Sequence, residues 1–216
     1  MTTVFDLVLG RALTELSIGD YAPIREEYRL NVWAAITEYF ITEGARITKF
    51  RNDMRKAMTA AFGDAFAQGI ADGGGDYVND PDPADVEWLA AKQAAEMAYI
   101  DALFIQLKDL KAEAKDDPTA TEGEAERRAE GYARTLDGVY SEGKVRGAKN
   151  EMLQFDGPDG KENCQTCHDL KGKQHRASWW VKRGLTIYRG NNRYICGCWE
   201  CQHYLFSVKT GQIFTA

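Results

Sequence analysis

The chain lacks the features of a membrane protein or a secreted protein. No run of apolar residues approaches the roughly 18 that a membrane-spanning helix needs. Residues 1–16 include Asp6 and Glu15 and have neither a basic region nor a cleavage motif of small residues, so we expect no signal peptide. With 44% hydrophobic and 28% charged residues, the composition is that of an ordinary globular protein without a membrane contact.

Catalytic motifs are equally scarce. The sequence contains no phosphate-binding Walker loop, no dinucleotide-binding fingerprint and no Ser-His-Asp order. The His-x-Glu that precedes a Cys-x2-Cys in cytidine deaminases is also missing. The chain has only three histidines, and all of them follow residue 160. We therefore predict that the protein is not an enzyme.

Cysteine is absent from the first 163 residues and then occurs five times. These cysteines form two short clusters about 30 residues apart: Cys164, Cys167, Cys196, Cys198 and Cys201. An odd number of clustered cysteines, without a secretion signal, favours reduced thiolates over a disulfide framework. The alternatives are small buried hydrophobic residues or a redox pair, but the spacing is typical of a metal site.

Four of these thiolates would form a closed, structural zinc site. Cys164 and Cys167 supply one pair, and Cys198 and Cys201 repeat the same spacing, so we predict these four as the ligands of a structural Zn²⁺. Two alternatives remain open. Cys196 with Cys198 could form the second pair and leave Cys201 free, or one histidine could be a ligand; the candidates are His168, His175 and His203.

Charge is distributed unevenly along the chain. Residues 161–216 hold nine Lys and Arg against three acidic residues, a net charge of +6. The whole chain carries −6, so the remainder carries −12. A basic tail favours contact with nucleic acid or with an acidic protein, although solubility alone is an alternative explanation. The candidate contact residues are Lys171, Lys173, Lys182 and Arg183.

Apolar residues recur at helical spacing through most of residues 1–150. The pattern predicts five helices, at about 4–16, 23–44, 47–70, 84–114 and 122–149. Thr121 and Glu124 have the spacing of a capping box that would begin the last helix. Glycines in this last helix indicate close packing against another backbone.

The composition changes after residue 150. We expect a strand at 153–155, one or two helical turns within 175–182, and hairpins at 186–195 and 204–214. A piece of about 60 residues usually needs a metal or disulfide to be stable. The predicted fold is therefore mainly α: a helical body, 1–150, followed by a small zinc-stapled α/β module, 151–216.

The order of motifs around the cysteines resembles a known family. A helix rich in Arg, Glu and Ala (126–148) precedes a short strand, then Cys164 and Cys167, then Leu170 and Gly172, and finally Cys196-x-Cys198. This order is similar to the C-terminal region of the Mu F-like minor head proteins of bacteriophages. The similarity covers about residues 122–200. Tyr194-Ile195 stands where that family has His-Pro, Gly197 replaces an arginine, and Cys201 is additional.

The resemblance implies a structural protein of phage head morphogenesis. Such a protein is made in the host cytoplasm, becomes part of the virion, and attaches to the portal or to a capsid protein in several copies. Non-specific contact with packaged DNA is compatible with the basic module. Two other hypotheses remain: a nucleic-acid-binding zinc module on a helical oligomerisation domain, and a zinc-assisted nuclease using His175 with Asn191 or Asn192.

Overall fold

The computed structural model describes residues 21–42, 46–113, 118–158, 164–189, 191–198 and 202–214. This part of the chain is mainly helical, with a small strand region near the C-terminus and a cysteine cluster that could hold a metal ion. The predicted fold class is thereby confirmed. The predicted helix at 4–16 lies outside the described residues, as does Cys201. No helix among the described residues is both long and apolar enough to cross a membrane.

Four long helices match the predicted ones closely. They are α1 Tyr21–Ile41, α2 Ile47–Asp72, α3 Pro83–Glu113 and α4 Pro118–Gly147. Helices α3 and α4 both begin at a proline, which suits the first helical position because the missing N–H has no partner there anyway. The predicted capping box is therefore wrong: Thr121 lies inside α4, and the Glu124 carboxylate contacts the guanidinium groups of Arg127 and Arg128 at 2.6 Å.

The apolar stripe of α2 is buried as predicted. The side chains at its steps of four are at most 3% exposed: Phe50, Met54, Met58, Phe62 and Phe66. In α3 the predicted apolar stripe is buried at Leu89, Leu103 and Leu107, but Tyr99, predicted in the same stripe, is 55% exposed and the neighbouring Ile100 is buried. Glu96 occupies a buried position on the same face, where the Lys92 ammonium lies 3.3 Å from its carboxylate.

The chain divides into two compact units whose boundaries differ from the predicted 1–150 and 151–216. The first unit contains Ala22–Asp64 and Pro83–Ala133, and the second contains Ala65–Asp82 and Arg134–Ala216. Helices α2 and α4 each contribute to both units. The cysteine-bearing segments therefore share a unit with the C-terminal parts of these two helices.

Within the second unit, α2 and α4 pack closely at two pairs of glycines, and the members of each pair are four positions apart. Gly69 of α2 and Gly73, the residue after its end, face the backbone of α4, while Gly143 and Gly147 of α4 face the backbone of α2. A Cβ atom at any of the four would overlap a backbone carbonyl oxygen of the other helix. The expectation of close packing at the α4 glycines is confirmed for these two positions.

A three-stranded sheet follows α4. Its strands are β1 Met152–Asp156, β2 Gln174–Arg176 and β3 Tyr204–Ser207, in the order β2-β1-β3. Both pairings are antiparallel: Leu153 is opposite His175 in β2 and opposite Ser207 in β3. Two short helices, α5 Gln165–Leu170 and α6 Ala177–Lys182, flank β2 in sequence.

Of the two predicted hairpins, one forms. At 204–214 the chain folds back on itself through a bridge between Phe206 and Ile213. The described residues within 186–195 form no strand, so that prediction is wrong. The reason is local: the Asn191 side chain donates hydrogen bonds to the carbonyl oxygens of Gly184 (2.9 Å) and Thr186 (2.6 Å), which folds the segment into a compact loop.

The helix crossing yields a stability prediction. Gly143→Ala should lower the free energy of unfolding by about 1–3 kcal/mol, because the added methyl group overlaps the Phe66 carbonyl of the neighbouring helix. Gly123→Ala is the matched control in the same helix, since no atom lies within 4 Å of the added Cβ. It should raise the free energy of unfolding by up to about 1 kcal/mol. Urea unfolding of both variants tests this, and equal stabilisation by both would contradict the close crossing.

Candidate metal centre

The first pair of cysteines is brought together by the start of α5. Cys164 immediately precedes the helix in an extended conformation (φ −68°, ψ 158°), and its carbonyl accepts the His168 N–H at 3.1 Å. The following helical turn places the Sγ atom of Cys167 3.4 Å from that of Cys164. Cys167 is 2% exposed, and Cys164 is half-buried.

A third thiol joins this pair from about 30 residues further along the chain. The Sγ atoms of Cys164, Cys167 and Cys196 all lie within 4.8 Å of one another. In a tetrahedral site with metal–sulfur bonds of about 2.3 Å, the sulfur atoms are about 3.8 Å apart. One ion can therefore contact all three. Cys196 is exposed, so the cluster is open to solvent on its side.

This set differs from the four ligands predicted from the sequence. Cys196, which we left out, is a member of the cluster, whereas Cys198 is not among the three thiols and is 6% exposed in the core of the module. Two successive left-handed residues, Gly197 (φ 61°) and Cys198 (φ 53°), turn the chain sharply between the two cysteines. The glycine of Cys196-Gly197-Cys198 could have indicated this turn, because glycine readily adopts the left-handed conformation. A search for Cys-x2-Cys spacing takes no account of that glycine.

No other His, Cys, Asp or Glu of the described ranges joins the three thiols. His168 is exposed on α5. His175 is half-buried and stacks on Trp179 with ring centroids 3.7 Å apart. His203 is buried and stacks on Phe155 at 5.2 Å. None of the three imidazoles is placed in the cluster, which leaves a thiolate-rich donor set.

The thiol of Cys164 is strongly influenced by its neighbours. Burial by itself raises the pKa of this thiol. Hydrogen bonds from the backbone N–H groups of Cys167 and Cys196, and from their thiols, outweigh burial and lower the pKa to about 7. A large fraction of Cys164 is therefore thiolate at neutral pH, which is the form that binds metal ions.

The segment that carries Cys164 and Cys167 is held to the sheet by hydrogen bonds. The N–H of Gly172 donates to the Phe155 carbonyl of β1 at 2.9 Å, and the Phe155 N–H donates to the Lys173 carbonyl at 3.1 Å. Gly172 adopts φ +75°, a conformation that suits glycine. Leu170, 6% exposed, belongs to the hydrophobic core of the module. These contacts hold α5 in place.

The loop that leads to Cys196 is held by buried polar groups that could not be predicted from the sequence. The Thr186 hydroxyl donates to the carboxylate of Glu142, a residue of α4 that is 2% exposed. The Arg146 guanidinium lies 2.7 Å from the same carboxylate. Together with Asn191, these groups fix the loop that leads to Cys196. Nothing in the local pattern distinguishes Glu142 from the surface glutamates of a charged helix.

The four cations predicted to contact nucleic acid or a partner lie in one stretch of the same unit. Lys171 and Lys173 stand on either side of Gly172, and Lys182 and Arg183 lie at the end of α6. Lys173, Lys182 and Arg183 are exposed, and Lys171 is half-buried. The Arg183 guanidinium lies over the Trp179 ring, 4.1 Å from its centroid.

Comparison with models of protein families, with curated proteins and with solved structures finds no match to this chain.

The cluster predicts different effects for the two cysteines of Cys196-Gly197-Cys198. Cys196→Ser should weaken metal binding by at least about tenfold, because it removes one of the three clustered sulfur atoms. Cys198→Ala should leave the sulfur ligands of the cluster intact. Cobalt(II) titration, followed by the thiolate-to-cobalt charge-transfer band, measures both. Loss of the band in Cys198→Ala but not in Cys196→Ser would contradict this geometry.

The lowered pKa of Cys164 predicts how metal affinity depends on pH. Below pH about 7 the metal must displace a proton from this thiol, so affinity should fall by at least about tenfold per pH unit. Above that pH this thiol makes no further contribution to the pH dependence. Competition with a chelator at a series of pH values measures the effect. Constant affinity from pH about 5 to about 7 would be inconsistent with a Cys164 thiolate ligand.

Proposed function

We propose that this chain is a structural protein of bacteriophage heads, of the Mu F-like head-morphogenesis type, with a zinc-stapled C-terminal module. The metal has no catalytic role in this proposal. It holds together the surface by which the protein attaches to the portal or to a capsid protein, and the protein is present in several copies in the virion.

One observation carries the proposal: the two ends of the family-like motif meet in space. Cys164 and Cys167 open the motif, Cys196 belongs to its closing Cys-x-Cys, and their three sulfur atoms form the candidate metal cluster. A motif that works as one metal-binding unit requires this contact. Among the described residues, the second element of the cluster is Cys196 of the closing Cys-x-Cys, while Cys198 is not one of the three thiols.

The residues between the two ends also have definite roles in this unit. Leu170 fills the core, and Gly172 makes the left-handed turn that returns the chain to β1. The helix that precedes the motif is α4, whose Gly143 and Gly147 permit the close crossing with α2. Packing and backbone conformation therefore explain Leu170, Gly172 and the two α4 glycines. This supports treating the helix and the cysteine motif as one structural unit.

Several features favour a structural metal over a catalytic one. The three donors are thiolates, which are typical of structural zinc sites. A catalytic site would place a carboxylate or imidazole beside the metal as a general base, and within the described ranges none joins the cluster. Two residues of the nuclease hypothesis have other contacts: Asn191 donates hydrogen bonds within its own loop, and His175 stacks on Trp179.

Zinc is the metal we expect, with Cys201 as the fourth ligand. Thiolate-rich tetrahedral sites select zinc over magnesium or calcium, which prefer oxygen donors. Cys201 lies outside the described residues, five positions after Cys196.

The proposal is tested in assembled phage heads. In a phage that carries Cys196→Ser in this gene, purified heads should contain much less of the protein than heads that carry Cys198→Ala, because attachment depends on the metal-held module. Quantitative mass spectrometry of purified heads measures the copy number of each variant. Absence of the wild-type chain from heads would overturn the proposed function, and unchanged incorporation of Cys196→Ser would overturn the role of the metal.

A further inference from the structure

The second unit carries a basic surface that the assembly role does not explain. Residues 171–184 contain five cations and no acidic residue. The five share one edge of the fold, because β2 is an outer strand of the sheet and α6 follows it directly: Lys171, Lys173, Arg176, Lys182 and Arg183. We call this set the basic edge.

An aromatic stack organises the centre of the basic edge. The Trp179 ring has two partners: the His175 ring at 3.7 Å, nearly parallel with an interplanar angle of 11°, and the Arg183 guanidinium at 4.1 Å. His175, Trp179 and Arg183 are spaced four positions apart along the chain. The stack restricts an arginine side chain that would otherwise sample many rotamers, so less entropy is lost when it binds an anion.

Other cations lie close to this stack. Burial is the largest cause that lowers the pKa of His175, and the positive charges of Arg183 and Lys173 lower it further. Both cations therefore lie near the imidazole. Lys182 precedes Arg183, and Arg176 follows His175. Among the described residues, Lys173, Lys182 and Arg183 form no ion pair with a carboxylate. A polyanion would therefore not have to displace an internal partner at these three positions.

The stack also indicates what kind of contact this surface makes. The Trp179 ring is already in contact with the His175 ring and the Arg183 guanidinium, so we do not expect it to stack on a nucleic acid base. The exposed groups are instead a guanidinium, whose planar donors match a phosphate in a bidentate manner, and flexible ammonium groups. Such groups contact a phosphate backbone and carry no base specificity.

We propose that the basic edge binds the phosphate backbone of duplex DNA without sequence preference, with Arg183, held on Trp179, as its principal contact. This proposal uses residues other than the three clustered cysteines, and it does not depend on attachment to a portal or capsid protein. Trp179 is a positioning residue, since it acts through Arg183.

Binding is measured with the full, metal-loaded chain and a fluorescein-labelled duplex of roughly 20 base pairs, at salt concentrations between about 50 and about 200 mM. The wild-type protein should bind two duplexes of unrelated sequence equally. Its log Kd should rise linearly with log salt concentration. Arg183→Gln should reduce that slope by about 0.9, the value for one lost phosphate contact.

Two further variants separate charge from positioning. Trp179→Leu retains every cation, so the salt slope should stay nearly constant while Kd rises several-fold. Arg183→Lys should behave similarly, because it keeps the charge but loses the planar contact. Metal content and near-ultraviolet circular dichroism of each variant verify that the module is still folded.

Lys209→Gln is the matched control. Lys209 is an exposed cation in the turn after β3, the strand at the opposite edge of the sheet. Its loss should leave Kd and the slope unchanged. The proposal is overturned if folded Arg183→Gln binds as tightly as wild type, if Lys209→Gln weakens binding equally, or if the wild-type protein does not bind the duplex. Binding of polyglutamate but not of the duplex would assign the basic edge to an acidic protein and would also overturn it.

Discussion

The contact between three sulfur atoms is the constraint on which the C-terminal module depends. Its sheet has strands of only five, three and four residues, too few to hold two long loops by themselves. Cys164 and Cys196 join those loops across about 30 residues of chain. A metal ion held by the three sulfur atoms would join the two loops, and its binding would then be coupled to folding of the module.

Two features of α4 help to position the loops that bring the three sulfur atoms together. The glycine crossing lets α2 and α4 approach until their backbones touch, which gives the module a rigid base on the C-terminal part of α4. One turn of the same helix supplies Glu142, whose buried carboxylate is compensated by Arg146 and by the Thr186 hydroxyl. A buried carboxylate is costly unless it is paired in this way. The loop leading to Cys196 is therefore attached to α4 beside the glycine crossing.

Repeating patterns of burial could be read from the sequence, whereas individual polar contacts could not. The helices follow from apolar residues at helical spacing, and α2 is buried along its whole predicted stripe. In α3 the predicted Leu89, Leu103 and Leu107 are buried, but burial of Glu96 could not be predicted, because it reads as a surface residue until its Lys92 partner is known. The hairpin at 186–195 failed because Asn191 bonds to carbonyl groups within its own loop. The choice between Cys196 and Cys198 likewise depended on two left-handed backbone residues.

Hydrogen–deuterium exchange with and without zinc tests the central claim most directly. If the sulfur contact holds the two loops, zinc should slow exchange strongly in peptides covering 164–172 and 191–198. Exchange in the first unit, such as α3, should hardly change, because its core contains no metal ligand. Equal protection of the two loops in metal-free and zinc-loaded protein would contradict the account, since the loops would then be held without the metal.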